Sequence, residues 1–77
     1  MNAVEEFDQL IAQLQSSGIK IRYDYFGGTG GGFCKFGGTD WLFVDLALSV
    51  TERIDLLKDQ LQQRPELIPH AIKLNAA

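Results

Sequence analysis

Seven of the eight glycines lie between Gly27 and Gly38, in the segment FGGTGGGFCKFGGTD. Glycine is needed where the backbone adopts positive φ, or where it approaches another group too closely for a Cβ atom. The motif Phe-Gly-Gly-Thr occurs at residues 26–29 and again at residues 36–39. Two similar turns separated by one short strand are typical of an antiparallel meander. The run therefore predicts turn geometry first and a ligand-binding loop second.

Apolar residues at helical spacing occur on both sides of this glycine run. Apolar residues at helical spacing predict a helix over residues 3–16, with Asn2 as its N-cap and Gly18 as its C-terminal stop. A second amphipathic stretch predicts a helix over residues 50–63, which begins with the capping box of Ser49 and Glu52. Beyond it, two prolines four residues apart predict a turn and then a short helix over Pro69–Leu74.

Between the two helices, the pattern predicts three strands. Residues 19–25 alternate strictly between apolar and charged side chains, which is typical of a half-buried strand. Residues 32–36 and 41–46 are predicted as the second and third strands. The predicted fold is α+β, with the order α-β-β-β-α, as a three-stranded antiparallel meander with both helices on one face. At 77 residues, the chain 1–77 is expected to form a single domain with a short C-terminal helical extension.

Composition limits the classes of function. The net charge of −3, without a cluster of Lys or Arg, argues against general binding of nucleic acid, which depends on neutralised phosphates. No apolar stretch approaches the roughly 18–20 residues of a membrane span, so no membrane association is expected. The N-terminus is acidic and amphipathic rather than basic and then apolar, as a signal peptide would be. The prediction is a soluble, cytoplasmic protein.

Candidate catalytic and metal-binding residues are few. Cys34 is the only cysteine and His70 the only histidine, so an intrachain disulfide is excluded and a usual zinc site is not expected. A free cysteine on a short strand is more often a packed apolar side chain than a nucleophile. Asp24, Asp40 and Asp45 fall at predicted strand ends, where aspartate commonly accepts backbone N–H groups. No catalytic residue and no cofactor is assigned.

The glycine run has one alternative interpretation as an anion-binding loop. Its pattern fits neither the phosphate loop of nucleotide-binding proteins nor a dinucleotide fingerprint, and both of those open onto a helix. Successive glycine N–H groups can nevertheless form an anion-binding nest. The candidate residues of a phosphate or small-molecule site are Gly27, Gly28, Thr29, Gly30, Gly31 and Gly32.

A stronger functional prediction comes from the aromatic residues of the strands. If Tyr23 and Tyr25 face the helices, then Cys34, Phe36, Leu42 and Val44 are expected on the same side. The opposite side would then present Phe33, Trp41 and Phe43 with Lys20, Arg22 and Lys35. Two small helices cannot cover both faces of a sheet, and an exposed apolar patch indicates an interaction surface. The predicted function is a small interaction or regulatory module that forms a homodimer or binds a protein partner. The alternative is that the strand phase is shifted by one residue, which would place Trp41 and Phe43 in the core.

The order of elements resembles a group of short uncharacterised bacterial proteins. The residues that suggest this are Gly27-Gly28, Gly30–Gly32 with Cys34, the segment 41–45, and the following helix with Glu52. The resemblance spans about residues 17–63 and implies a fold without a known activity. The order is also similar to the sheet that precedes the active-site helix of phage-repressor-cleaving metallopeptidases. Those enzymes need HExxH, and residues 51–58 contain no histidine, so this zinc chemistry is excluded.

Overall fold

A computed structural model describes residues 2–28 and 31–67 of the chain. The elements follow the order α1 (Ala3–Ser16), β1 (Lys20–Asp24), β2 (Gly31–Phe36), β3 (Thr39–Asp45) and α2 (Val50–Gln63), with a 3-10 turn at Pro65–Leu67. The α+β class is confirmed, and both helices begin and end within a residue of their predicted positions. The predicted helix at Pro69–Leu74 lies outside the described residues.

Each helix begins at the polar cap that the sequence indicates. The N–H of Glu5 donates to the side-chain oxygen of Asn2 at 2.9 Å, and Gly18 beyond α1 adopts a φ of +89°. At the start of α2, the N–H of Glu52 donates to the Ser49 hydroxyl at 3.2 Å, and the N–H of Ser49 donates to the Glu52 carboxylate at 2.9 Å. These bonds satisfy N–H groups that have no partner within the helix.

The capping box of α2 predicts a specific acid sensitivity. The backbone N–H and the side chain of Ser49 lower the pKa of Glu52 below its ordinary value of 4.5. A lowered folded-state pKa contributes stability that is present above the unfolded-state value and is lost as the pH falls through the folded-state value. Substituting Glu52→Gln is therefore expected to lower the melting temperature at pH 7, and the deficit relative to the native chain should shrink below pH 4.5. Thermal melts across this pH range measure it, and a deficit that is independent of pH would contradict it.

The sheet is mixed, which corrects the predicted antiparallel meander. Its strand order is β1-β3-β2, so that β3 is central, parallel to β1 and antiparallel to β2. The physical reason lies in burial: Leu42 and Val44 of β3 are at most 5 % exposed. In β1, by contrast, apolar and charged residues alternate, and β2 begins with glycines. The most apolar strand takes the centre, because strands with charged side chains and glycine tolerate the edges better.

Only one of the two glycine turns is therefore a tight hairpin. Gly37 and Gly38, with φ of +53° and +82°, connect Phe36 to its direct partner Thr39 in a two-residue turn. The segment after β1 instead crosses the end of β3 to reach β2, a lateral distance of about 10 Å.

The hydrophobic core lies between the helices and one face of the sheet. Leu14 of α1 and Leu61 of α2 are fully buried, and Leu42 and Val44 of β3 pack against this layer. The remaining buried apolar residues are Phe7, Leu10, Ile11, Ile19, Ile54, Leu57 and Leu67. The helices are joined at the surface by a 2.9 Å ion pair between Lys58 and Glu6. Because both helices lie on this side, no described element covers the opposite face of the sheet.

A candidate interaction face on the sheet

The uncovered side of the sheet presents a cluster of four aromatic rings, which we call the aromatic face: Phe26, Phe36, Trp41 and Phe43. Phe43 is its centre. The Trp41 ring stacks on Phe43 at 6.2 Å between centroids and 13° between planes. Phe26 and Phe36 meet Phe43 edge-on, at 5.8 Å and 6.5 Å. These offset and edge-to-face geometries are favourable beyond simple burial, so the rings support one another's orientation.

Strand β3 has the predicted phase, because Leu42 and Val44 face the helices and Trp41 and Phe43 do not. The alternative that places Trp41 and Phe43 in the core is wrong. Both side chains are half-buried by their aromatic neighbours, whereas Phe36 is 59 % exposed. The aromatic face is therefore a real apolar surface among the described residues.

Strand β2 has the opposite phase to the one predicted. Cys34 lies opposite Trp41, and Phe33 lies opposite Leu42 and packs against the core. The hairpin sets this phase: when two residues separate Phe36 from Thr39, every second residue counted back from Phe36 shares a face with Trp41. Phe33 is thus replaced on the aromatic face by Phe36 and by Phe26 from the preceding loop. The two-residue turn was the sequence signal for Phe36, and Phe26 had no comparable signal.

Two of the three predicted rim cations flank the aromatic face. The Lys20 ammonium lies 5.6 Å from the centroid of the Trp41 ring, within the range of a cation–π contact. Arg22 lies opposite Phe43 in the β1–β3 register, and its guanidinium is 3.7 Å from the Asp24 carboxylate. Lys35 is instead directly opposite Asp40, in phase with Leu42, and lies on the side of the helices.

Two open grooves run beside the Phe43 ring. One, of about 330 Å³, is lined by Arg22, Phe36, Trp41 and Phe43. The other, of about 310 Å³, is lined by the Phe26, Phe36 and Phe43 rings, by the half-buried Cys34 and by residues 31–33. The only cysteine of the chain is therefore part of this surface rather than of the core, which makes it a natural reporter of whether the surface is covered.

A buried aspartate holds the residue that precedes the glycine loop. Asp45, 1 % exposed, accepts the N–H of Phe26 at 3.0 Å and the N–H of Ala47 at 2.9 Å with the same oxygen. Gly27 and Gly28 have positive φ, and Thr29 and Gly30 of the candidate anion site lie outside the described residues. The Asp45 oxygen thereby occupies the N–H of Phe26, so this backbone donor next to the loop is not available to a bound anion. This arrangement disfavours the alternative of a phosphate site at residues 27–32.

Close backbone packing explains Gly31 and Gly32. A Cβ atom on Gly31 would overlap the backbone carbonyl oxygen of Phe43, and one on Gly32 would lie 3.0 Å from the Gln60 side chain. The Gln60 oxygen accepts the N–H of Phe33 at 3.1 Å, which attaches α2 to β2. These glycines therefore let β2 approach β3 and α2, and this structural role explains them without a bound anion.

The other candidate residues are not brought together into a catalytic or metal-binding group among the described residues. Asp24 accepts the N–H of Tyr25 at 2.8 Å, which is the turn role expected of it. His70 lies outside the described residues. Within residues 2–28 and 31–67, no three His, Cys, Asp or Glu side chains are grouped to hold a metal ion, and neither helix is long and apolar enough to cross a membrane.

The chain matches no family model, and neither a curated protein nor a solved structure is detectably similar to it. The resemblance to short bacterial proteins stays a prediction. The case for a function therefore depends on the geometry of the aromatic face.

Proposed function

We propose that this protein is a small non-catalytic interaction module, and that it forms a homodimer through the aromatic face. The observation that supports this most is the ring cluster centred on Phe43, on a side of the sheet where no described element packs. Aromatic residues bordered by Arg are the residue types that dominate binding energy in protein interfaces. A cytoplasmic location is part of the proposal, since a reducing compartment keeps the Cys34 thiol free on this surface.

Self-association is the simplest way to cover such a surface. A domain of this size buries only about 60% of the surface of its unfolded chain, so additional apolar burial has a large relative effect. A two-fold axis through the aromatic face would bury the same patch on both copies. The cations Lys20 and Arg22 and the exposed Asp24 lie along the β1 side of this patch, where they would form a polar rim.

Truncating the stacked tryptophan tests the proposal. Trp41→Ala removes the ring that stacks on Phe43 and is expected to weaken dimerisation at least about tenfold, or about 1.4 kcal/mol. Lys35→Ala is the matched control, because Lys35 is exposed on the other side of the sheet. Solution mass by light scattering across a dilution series measures both, with circular dichroism to verify the fold. Equal masses for the folded Trp41→Ala variant and the native chain would contradict the proposal.

The native thiol gives a second readout that needs no substitution. Cys34 lines a groove of the aromatic face, so dimerisation through this face should slow its alkylation as the protein concentration rises. The same concentration series with Trp41→Ala should show a constant rate. An alkylation rate that does not depend on concentration in a native dimer would show that the two copies meet elsewhere.

A further inference from the structure

The free edge of β1 carries an inference that goes beyond the proposed contact of the aromatic faces and stands without it. Among the described residues, β1 pairs only with β3. The carbonyl of Asp24 accepts the N–H of Leu46 at 2.8 Å, so the backbone groups of Asp24 point toward β3. Backbone groups alternate in direction along a strand, and therefore Ile21 and Tyr23 direct their N–H and C=O groups to the open edge.

The two edges of the sheet differ in how they are protected. At the β2 edge, the Gln60 side chain binds the N–H of Phe33, and the exposed Lys35 follows two residues later. A lysine discourages strand pairing, but β1 carries one as well, Lys20, so the bonded N–H of Phe33 is what distinguishes the two edges. The β1 edge has neither a proline nor a side-chain cap on its outward backbone groups among the described contacts, and its one aromatic residue, Tyr23, is 47 % exposed.

The sequence of β1, KIRYD, is complementary to itself when it is reversed. In an antiparallel pair of two β1 strands centred on Arg22, Lys20 of each copy lies opposite Asp24 of the other. Ile21 of each copy lies opposite Tyr23 of the other, and the backbone groups of these two residues face the partner strand. Opposite charges and an aromatic–β-branched pair are both favourable cross-strand neighbours. The two Arg22 side chains meet at the centre, and each has its own Asp24 carboxylate 3.7 Å away.

We infer that β1 pairs antiparallel with β1 of a second copy of this chain, in the register that places Arg22 opposite Arg22. The product is a continuous six-stranded sheet with the order β2-β3-β1-β1-β3-β2. Its two-fold axis is perpendicular to the sheet, so the helices of both copies lie on one side and both aromatic faces on the other. A face contact and an edge contact then use different surfaces, and they close a tetramer where their two-fold axes intersect at right angles.

Cysteine cross-linking tests the register directly. In this pairing the two Arg22 Cα atoms form a non-hydrogen-bonded pair about 4.5 Å apart, which is within the range that a disulfide bridges. Arg22→Cys in a Cys34→Ser background is therefore expected to form a disulfide-linked dimer on mild oxidation. Lys20→Cys in the same background is the matched control: its two copies would be about 14 Å apart, too far to be bridged. Equal cross-linking at the two positions, or none at position 22, overturns the inference.

The contact of the aromatic faces must be separated from this edge contact. Adding Trp41→Ala to the Arg22→Cys chain removes the proposed face contact and should leave the cross-link intact. A cross-link that is lost with Trp41→Ala came from the face and overturns the edge inference, whereas the proposed function would survive. An independent measurement uses charge: Asp24→Lys should weaken the edge contact, and the double variant Lys20→Asp, Asp24→Lys should restore it. Failure of the double variant to restore association while the fold is intact also overturns the register.

Discussion

Gly31→Ala is expected to reduce the free energy of unfolding by about 2–4 kcal/mol, from strain at positive φ and from overpacking. Gly31 has a φ of +68°, and its new Cβ atom would overlap the carbonyl oxygen of Phe43 in the central strand. That obstacle is backbone and cannot rotate away, so β2 must separate from β3 there. A chain of this length has a total stability of roughly 4–12 kcal/mol, so the loss is a large share. Urea denaturation followed by circular dichroism measures it.

Gly28→Ala is the matched control for the steric contribution. Gly28 has a similar φ of +78°, but a Cβ atom there would have no neighbour within 4 Å. The control should lose only about 1–2 kcal/mol, the cost of a left-handed conformation. Equal losses in the two variants would show that conformation alone determines the effect and that the contact between Gly31 and Phe43 is not limiting.

The Gly31 substitution should also weaken the proposed dimer. The carbonyl that it displaces belongs to Phe43, whose ring contacts the other three rings of the aromatic face. Any shift of this backbone therefore moves the centre of the cluster. Stability and association are thus coupled at one residue, and Gly28→Ala should leave association unchanged.

The helices were predictable because their signals are local. The Asn2 cap, the Ser49–Glu52 capping box and the 3.6-residue apolar spacing all lie within a few residues of what they determine. The strand order was not predictable in the same way, because it depends on which distant segments pair. The available signal was the run of four apolar residues at 41–44 in β3, which favours a central strand over an edge.

The aromatic face was predicted in part. Trp41 and Phe43 followed from alternation along β3, and Lys20 and Arg22 followed from alternation along β1. Alternation alone places Phe33 and Lys35 on this face, because it ignores the constraint that the hairpin puts on the phase of β2. Two residues between Phe36 and Thr39 determine that phase, and applying this turn geometry first would have selected Cys34 and Phe36 instead.

The sequence predicts that Asp45 accepts backbone N–H groups, and this is confirmed, but its burial had no signal in the sequence. An aspartate at the end of a strand is usually exposed, and its burial here follows from the loop that crosses from β1 to β2 over the end of β3. That crossing exists only because β1 and β3 are parallel neighbours. The same topology that contradicted the meander therefore brings Phe26, just before the proposed anion-binding loop, onto the buried Asp45.

Removing this carboxylate is expected to have the second large effect. Asp45→Ala takes away the acceptor of the Phe26 and Ala47 N–H groups at a site that is 1 % exposed, and should cost about 2–4 kcal/mol of unfolding free energy. Because the Phe26 ring contacts Phe43, the loop and the aromatic face should loosen together. Urea denaturation gives the loss in stability, and amide hydrogen exchange at residue 26 reports the local opening.

Two variants separate the buried hydrogen bonds of Asp45 from the mere loss of a carboxylate. Asp45→Asn keeps an oxygen that can accept both N–H groups. This variant should therefore retain most of the stability, and hydrogen exchange at the Phe26 amide should remain slow. Asp24→Ala removes an exposed carboxylate that accepts the N–H of Tyr25 and pairs with Arg22, and because both contacts are exposed it should cost no more than about 1 kcal/mol. If Asp45→Ala were as mild as Asp24→Ala, the hydrogen bonds to Asp45 would not be what holds Phe26 in place. The aromatic face would then owe the position of Phe26 to ring contacts, and the buried carboxylate would have no part in shaping the surface proposed to bind a second copy.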